Sequence, residues 1–487
     1  MPKTLVMKFG GTSVGTVSAM RQAVEITVDV HREWERLVVV TSALAGVTDL
    51  LINSATSAMR GDLAPFQQAK TELAERHFSL IDALVSRPER QEAIRRQISG
   101  LFTEFSNLCH AIHVLGECTP RAMDAVAGLG ERLSAPILAA AAESAGLPVQ
   151  AFESTAFIIT DDHFQNALPD MLETTRRTHQ VLDPILSEGI VPVVTGFIGA
   201  TPSGLPTTLG RGGSDFTASI MALALQADEV WIWTDVDGVM TADPRLVPQA
   251  RTLPALSYRE VAELAHFGAK VLQPRSIYPV IQAGIPVRVC NTFNPTHPGT
   301  RLVSDNGFSS KILQRKNHIG NNGYGTIKAM AALRGLQLIT LCGRGMLGVP
   351  GVAGRVFSST ASTGISIPWI LQSTSEQSIC FAAPKESVGV VLQALRRDLS
   401  QEFERQDIDR AEGDEEVDII TLLCPGIRTT PGVAARIFNV LSGASINVLA
   451  VSFGASDQSI NLVFSAADTV AALQALHELT TLEVSHA

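Results

Sequence analysis

Thr207-Thr208-Leu209-Gly210-Arg211-Gly212-Gly213-Ser214-Asp215-Phe216-Thr217-Ala218 is the stretch around which the chain is organised. It comes after an apolar, strand-like run, Gly189 to Phe197, and leads into Ala218–Gln226, which reads as a helix. Three glycines around one arginine let the backbone turn sharply and come close to a ligand. Ser214 and Asp215 are residue types that cap helix N-termini, where unpaired N–H groups favour anions. A capping turn with a surface arginine is the competing reading of such a cluster, and the rest of the chain decides between the two.

The 487 residues predict two to four domains, and a hydrophobic content of 45% is enough for proper cores. A net charge of −10 without a basic run argues against nucleic acid as a partner. Six cysteines without C-x-x-C spacing read as reduced, buried thiols. No signal-like apolar core opens the chain and no run reaches membrane-spanning length, so a cytoplasmic protein with no membrane partner is expected.

Thr4–Phe9 reads as a buried strand and Val17–His31 as a helix, with Lys8-Phe9-Gly10-Gly11-Thr12-Ser13 between them. Strand, glycine turn and helix in this order can cradle phosphate at a helix N-terminus. A P-loop is excluded, since no G-x-x-x-x-G-K-[ST] occurs. Lys8 either points inward, where burial requires an anion, or reaches solvent from the strand end. A second strand, Arg36–Thr41, runs into Ser42-Ala43-Leu44-Ala45-Gly46-Val47-Thr48-Asp49. Ser42 and Thr48 there either cap a helix or touch a ligand. Two such units predict an α/β fold with an open, mostly parallel sheet and ligands along its carboxyl edge.

Residues 62–146 show a helical pattern, with Glu131 just after Gly128-Leu129-Gly130. Strands are expected at Val149–Phe152, Phe157–Thr160, Ile190–Thr195, Glu229–Thr234 and Ile285–Cys290, with a hairpin tip at Thr201–Pro206. The acidic turn Asp235 to Arg245 lacks the closing Glu of a calcium loop, because Leu246 stands in its place. A nucleotide site suits this turn better. Ser257–Leu272 reads as an amphipathic helix containing Phe267-Gly268-Ala269-Lys270.

Towards the C-terminal end, Pro350-Gly351-Val352-Ala353-Gly354-Arg355 recurs as Pro431-Gly432-Val433-Ala434-Ala435-Arg436, an offset of 81 that also aligns Gln377-Ser378-Ile379 with Gln458-Ser459-Ile460. Each copy reads as a ferredoxin-like βαββαβ unit, with a first-turn proline where it is tolerated. Neither copy holds a nucleophile–base pair, so both read as binding or pairing modules.

Taken together, these motifs resemble the aspartate kinases, across the whole chain and in the right order. The resemblance implies an amino acid kinase (carbamate kinase-like) domain over 1–300, a linker over 301–336, and ACT domains over 337–415 and 416–487. It implies phosphoryl transfer from ATP, with Mg²⁺, to the side-chain carboxylate of L-aspartate, as the first step towards lysine, threonine and methionine. Lys8 matches the family's catalytic lysine, and Asp215 its acidic residue near the phosphates. Arg211 matches the clamp on the substrate α-carboxylate, a task suited to a planar guanidinium. Ser42, Thr48, Glu131, Phe197 and Ser214 match other pocket positions, with Glu131 meeting the ammonium. Lys8, Gly10, Gly11, Thr12, Ser13, Thr234, Asp235, Met240, Arg245 and Lys270 match the nucleotide side. No protein residue is assigned as a metal ligand.

Met240 stands where the family often has tyrosine, and Gln273 where histidine is frequent. Ile370 and Gln372 match effector positions of threonine-sensitive relatives, and the aspartate of lysine-sensing relatives is missing near Pro368. One neutral effector, threonine rather than lysine, is therefore expected at the first ACT unit. The chain ends at Ala487, soon after the second repeat, so a monofunctional kinase is expected. ACT units pair their sheet edges, which predicts a homodimer or larger assembly. The alternatives are another amino acid kinase, of the glutamate 5-kinase type, or an amino-acid-sensing regulatory protein without catalysis.

Overall fold

The computed structural model describes residues 3–266, 273–303, 327–373, 377–454 and 457–480. Its contacts divide the chain into two units. The first comprises 1–239, 252–262 and 270–315, and the second 240–251, 263–269 and 316–487.

In the first unit, short apolar runs bounded by glycines and polar turns form the strands β1 (Thr4–Phe9), β2 (Arg36–Thr41), β3 (Val149–Phe152), β4 (Val191–Thr195), β5 (Ile198–Ala200), β6 (Pro206–Thr208), β7 (Glu229–Thr234), β8 (Ala255–Ser257), β9 (Val287–Asn291) and β10 (Thr300–Val303). Eight of them make one sheet in the order β3-β4-β2-β1-β7-β9-β10-β8, parallel except for the β9–β10 pair. β1 is wholly buried between β2, which follows it in the chain, and β7, where the strand order turns to the other side. The carboxyl ends of parallel strands open into a crevice at such a switch point. Helices Val17–His31, Val47–Met59, Ala64–Leu84, Pro88–Leu115 and Leu129–Ser144 pack their apolar stripes into a core with Leu5, Met7, Leu37 and Val39.

Three expectations are revised here. No strand forms over 157–160; Ile159 and Thr160 make only isolated bridges, to Ala200 and Pro169, beside the β5–β6 hairpin. The helix expected over 218–226 runs over Gly213–Ala224, because Gly212, in the left-handed region at φ 73°, begins it. Ser214 and Asp215 therefore lie within its first turn and do not cap it. Residues 301–303, expected in a linker, belong to β10 of this sheet.

The second unit holds β11 (Ala329–Cys342), β12 (Trp369–Gln372), β13 (Ser378–Pro384), β14 (Arg410–Leu423), β15 (Ala450–Phe453) and β16 (Ser459–Ser465), in the order β12-β13-β11-β14-β16-β15. The repeat read from the sequence is present, as helices Val352–Ser362 and Val433–Gly443 occupy matching positions. β11 and β14 are each shared between the copies. Residues 336–342 of β11 pair with β13 and with the start of β14, while 329–333 pair with the end of β14, which also pairs with β16. The second copy thus takes its fourth strand from residues that precede the first copy, inside the stretch expected to be a linker. A break in register between Leu333 and Leu336 marks the junction, where Gly335 adopts φ 77° and donates its N–H to the buried Asp418 (3.0 Å). Trp369 on one edge strand donates to Ser452 on the other (2.9 Å), over a core of Leu336, Ala382, Val417, Ile419 and Val463.

Candidate active site

Three of the strands around β1 end in hydroxyl residues, β2 at Thr41, β4 at Thr195 and β7 at Thr234. Lys8 is the penultimate residue of β1, and Gly10 follows the strand, its N–H bonded to the Trp233 carbonyl of β7 (3.0 Å). A Cβ on Gly11 would stand 2.9 Å from the Ala43 carbonyl, so the turns after β1 and β2 interlock only with glycine there. Lys8 is 9% exposed and its Nζ lies 2.6 Å from Asp215 Oδ1 in the first turn of the helix Gly213–Ala224. The lysine points inward and meets a carboxylate, as burial of an ammonium requires.

Glu131 enters from the first turn of the helix Leu129–Ser144 and is 3% exposed. Its Oε1 accepts the Ala43 N–H (3.1 Å), and Oε2 has no hydrogen-bond partner. Burial pushes its carboxyl up to about 8, against the opposing pull of the Ala43 and Glu131 N–H groups, Lys8 and Ser214. A half-satisfied, buried carboxyl beside an ion pair ionises readily only when a cation or further donor arrives to pair with it. Ser134 holds the neighbouring turn by donating to the Ser42 carbonyl (2.7 Å). Ser42 is half-buried, and Thr48 lies in the first turn of the helix Val47–Met59.

The loop from Leu209 to Gly213 comes close to the turn after β4. A Cβ on Gly196 would meet Ser214 Cβ at 2.7 Å, and one on Gly213 would meet the Phe197 ring at 2.5 Å. Phe197 adopts φ 68°, held by its N–H to Thr217 Oγ1 (3.0 Å) and by its carbonyl, which takes the Leu209 N–H (2.9 Å). Arg211 stands exposed on this loop between Gly210 and Gly212, both at positive φ, and has no carboxylate partner among the described residues.

The structure therefore brings together Lys8, Gly10, Gly11, Ser42, Glu131, Ser214 and Asp215, with Phe197 in the turn after β4 and Arg211 on the loop packed against that turn. Thr12 is exposed beside them. Ser13 is fully buried, its hydroxyl taken up by Thr292 Oγ1 (2.7 Å) and the Trp233 carbonyl (3.4 Å). Thr234 ends β7, its hydroxyl 3.2 Å from the exposed Asp235 carboxylate. Met240 and Arg245 lie in the segment 240–251 of the second unit. There Ala242 and Val247 join a core with Leu422, Ile437 and Phe464, and Thr241 meets His477 Nε2 (2.9 Å). Arg245 is exposed and holds Asp243 with two nitrogens. Lys270 lies outside the described residues. Ile370 and Gln372 are exposed on the edge strand β12. Sequence reasoning missed Asp124, whose carboxylate anchors Thr208; a lone aspartate on a helix gives no local signal of such a role.

The sequence model of the amino acid kinase family matches residues 3–291, and an ACT domain model matches 339–399 and 420–479. The chain is 35% identical over 476 residues to the bifunctional aspartokinase/homoserine dehydrogenase 1 of Zea mays chloroplasts, covering 97% of this chain and 50% of that protein. It is 31% identical over 490 residues to the chloroplastic aspartokinase 1 of Arabidopsis thaliana, covering 98% of this chain and 80% of that one. The chain spans about half the length of the bifunctional plant relatives it matches. Escherichia coli aspartokinase III, solved in complex with aspartate and ADP, superposes with a TM-score of 0.78 at 28% identity, covering 98% of this chain and 99% of that one.

Proposed function

The chain belongs to the amino acid kinase family and within it to the aspartokinases, and from that premise we propose that it transfers the γ-phosphoryl group of ATP to the side-chain carboxylate of L-aspartate, giving 4-phospho-L-aspartate and ADP. The observation that carries this reading is the Lys8–Asp215 pair at the carboxyl end of the central strand, with Glu131 buried beside it. The aspartate carboxylate is ionised at neutral pH, so its oxygen attacks phosphorus without a general base while the bond to the ADP oxygen breaks. What remains for the protein is positioning and the stabilisation of charge. Lys8 lies along the transferring group and offsets its charge, held in direction by Asp215. Arg211 clamps the α-carboxylate in bidentate fashion, and Glu131 receives the α-ammonium, which supplies the missing partner of Oε2. Ser42, Thr48, Ser214 and Phe197 border the acceptor. Gly10, Gly11, Thr12, Thr234 and Asp235 border the nucleotide.

Among the described residues no cluster of three acidic, histidine or cysteine side chains could hold a metal. Magnesium would be carried mainly by the nucleotide phosphates and would neutralise their charge, and the Asp215 carboxylate beside Lys8 would be a protein group able to help hold it. ADP release measured with aspartate, glutamate and N-acetylglutamate tests the assignment. Turnover with aspartate alone is expected. Turnover with one of the others instead would place the chain with another amino acid kinase, and none at all would make it a sensor.

The tandem repeat is read as the feedback-sensing part of a cytoplasmic enzyme at the head of lysine, threonine and methionine synthesis. Threonine is proposed as the effector at Ile370 and Gln372. The edge strands β12 and β15 leave Ile370 47% and Phe453 51% exposed, which suits pairing with a second copy of the chain.

A further inference from the structure

Asp124 sits on the helix Pro120–Ala127, 2% exposed, with no cation partner among the described residues. Three donors converge on its carboxylate. The Gln165 N–H reaches both oxygens (3.0 and 2.9 Å), the Thr208 N–H reaches Oδ2 (2.9 Å), and the Thr208 hydroxyl reaches Oδ1 (2.7 Å). The two backbone N–H groups can only donate, one of them to both oxygens, and the Thr208 hydroxyl donates as well, so a group that accepts throughout suits the site. An ionised aspartate meets that need, whereas an asparagine would turn its NH₂ towards an N–H.

Both anchored residues lead to Arg211. Thr208 ends β6, three residues before it. Gln165, at φ 70°, precedes Asn166, against which Gly210 is packed: a Cβ on Gly210 would stand 2.8 Å from Asn166 Oδ1 and 3.1 Å from the Gln165 carbonyl. Ala167 donates to the Thr208 carbonyl (2.9 Å) and Arg275 donates to Asn166 Oδ1, which closes the frame. Arg211 itself touches no carboxylate among the described residues, so its place is set by its backbone and not by its side chain. We propose that Asp124 is a positioning residue for acceptor recognition, holding Thr208 and Gln165 so that Arg211 meets the α-carboxylate of the amino acid substrate. This rests on the role given to Arg211 above. The buried charge at Asp124 is retained because the loop between two positive-φ glycines has little rigidity of its own.

The test is steady-state kinetics on the full chain, with Asp124→Asn, Arg211→Ala and the double variant. Asp124→Asn is expected to raise the KM for aspartate about tenfold or more while the KM for ATP stays within about twofold. In the Arg211→Ala background the same change should add less than about twofold, since a residue that works through another loses its effect when that residue is gone. Thr208→Val should move the aspartate KM in the same direction by a smaller factor, and Thr208→Ser should restore it. The Thr208 pair carries the test if Asp124→Asn does not fold. Equal factors in both backgrounds, or equal rises in both KM values, would overturn the proposal. If Arg211→Ala raises the aspartate KM and Asp124→Asn does not, positioning alone is wrong. If Arg211→Ala leaves that KM unchanged, the reading of Arg211 fails and this inference with it.

Discussion

Lys8 Nζ stands 2.6 Å from Asp215 Oδ1, one residue on the central strand and the other in the first turn of a helix far along the chain. The pair places a nearly buried positive charge where the parallel strands end. Its partner keeps the ammonium directed in the absence of phosphate, which is the arrangement a phosphoryl-transfer site needs before its substrates arrive.

Lys8→Ala is therefore expected to lower kcat by about a thousandfold while aspartate still binds. Turnover assays together with calorimetric titration of aspartate check this. Turnover within a few-fold of the parent protein would remove Lys8 from the mechanism.

Glu131 should make aspartate recognition depend on pH. With its carboxyl raised to about 8, it is protonated in the free protein at neutral pH and must ionise to meet an ammonium. The KM for aspartate should fall as pH rises from about 6.5 towards 8, and Glu131→Gln should raise that KM and flatten the profile. A parallel pH dependence in the variant would assign the effect to another group.

His77 should govern acid sensitivity. It is fully buried, its Nδ1 shares a hydrogen bond with the Leu73 carbonyl (2.6 Å), and its Nε2 has no hydrogen-bond partner. Burial lowers it to about 4, so the folded protein keeps it neutral while the unfolded chain takes up a proton below about 6.5. Stability from this residue is full above that value and is lost as pH falls towards 4. Glu131 acts in the opposite sense, its raised value favouring the folded state at low pH and losing that contribution as pH rises through about 8. Melting curves from pH 4.5 to 8 should show His77→Leu removing the acid loss and Glu131→Gln removing the alkaline one.

Asp418 links the two ACT copies. It is 1% exposed, with Oδ1 on the Gly335 N–H and Oδ2 3.3 Å from Arg334 Nε. Asp418→Ala leaves both donors without their acceptor and should cost about 1–3 kcal/mol, read as a lower denaturant midpoint. An unchanged midpoint would mean that the shared strands hold their register without it.

Inhibition should respond to threonine and not to lysine, and Gln372→Ala should weaken threonine inhibition while leaving uninhibited turnover near the parent value. Titration of both amino acids against both proteins decides the matter. Lysine inhibition with no threonine response would reverse the effector assignment.

The sequence by itself determined what local pattern can encode. The strands Thr4–Phe9, Arg36–Thr41 and Glu229–Thr234, the glycine turns that follow the first two, and the repeat at an offset of 81 all lie within short windows, where burial period and glycine freedom act directly. Lys8, Arg211 and Asp215 stood out because they adjoin such glycines. Tertiary structure alone decided the rest. The partners of Asp124 lie 41 and 84 residues away, and that of Glu131 lies 88 away, so their burial has no local signature. Likewise, 329–333 joins the second ACT copy because β14 presents an unpaired edge there, and a backbone donor row is satisfied by whatever strand reaches it, whatever its place in the sequence.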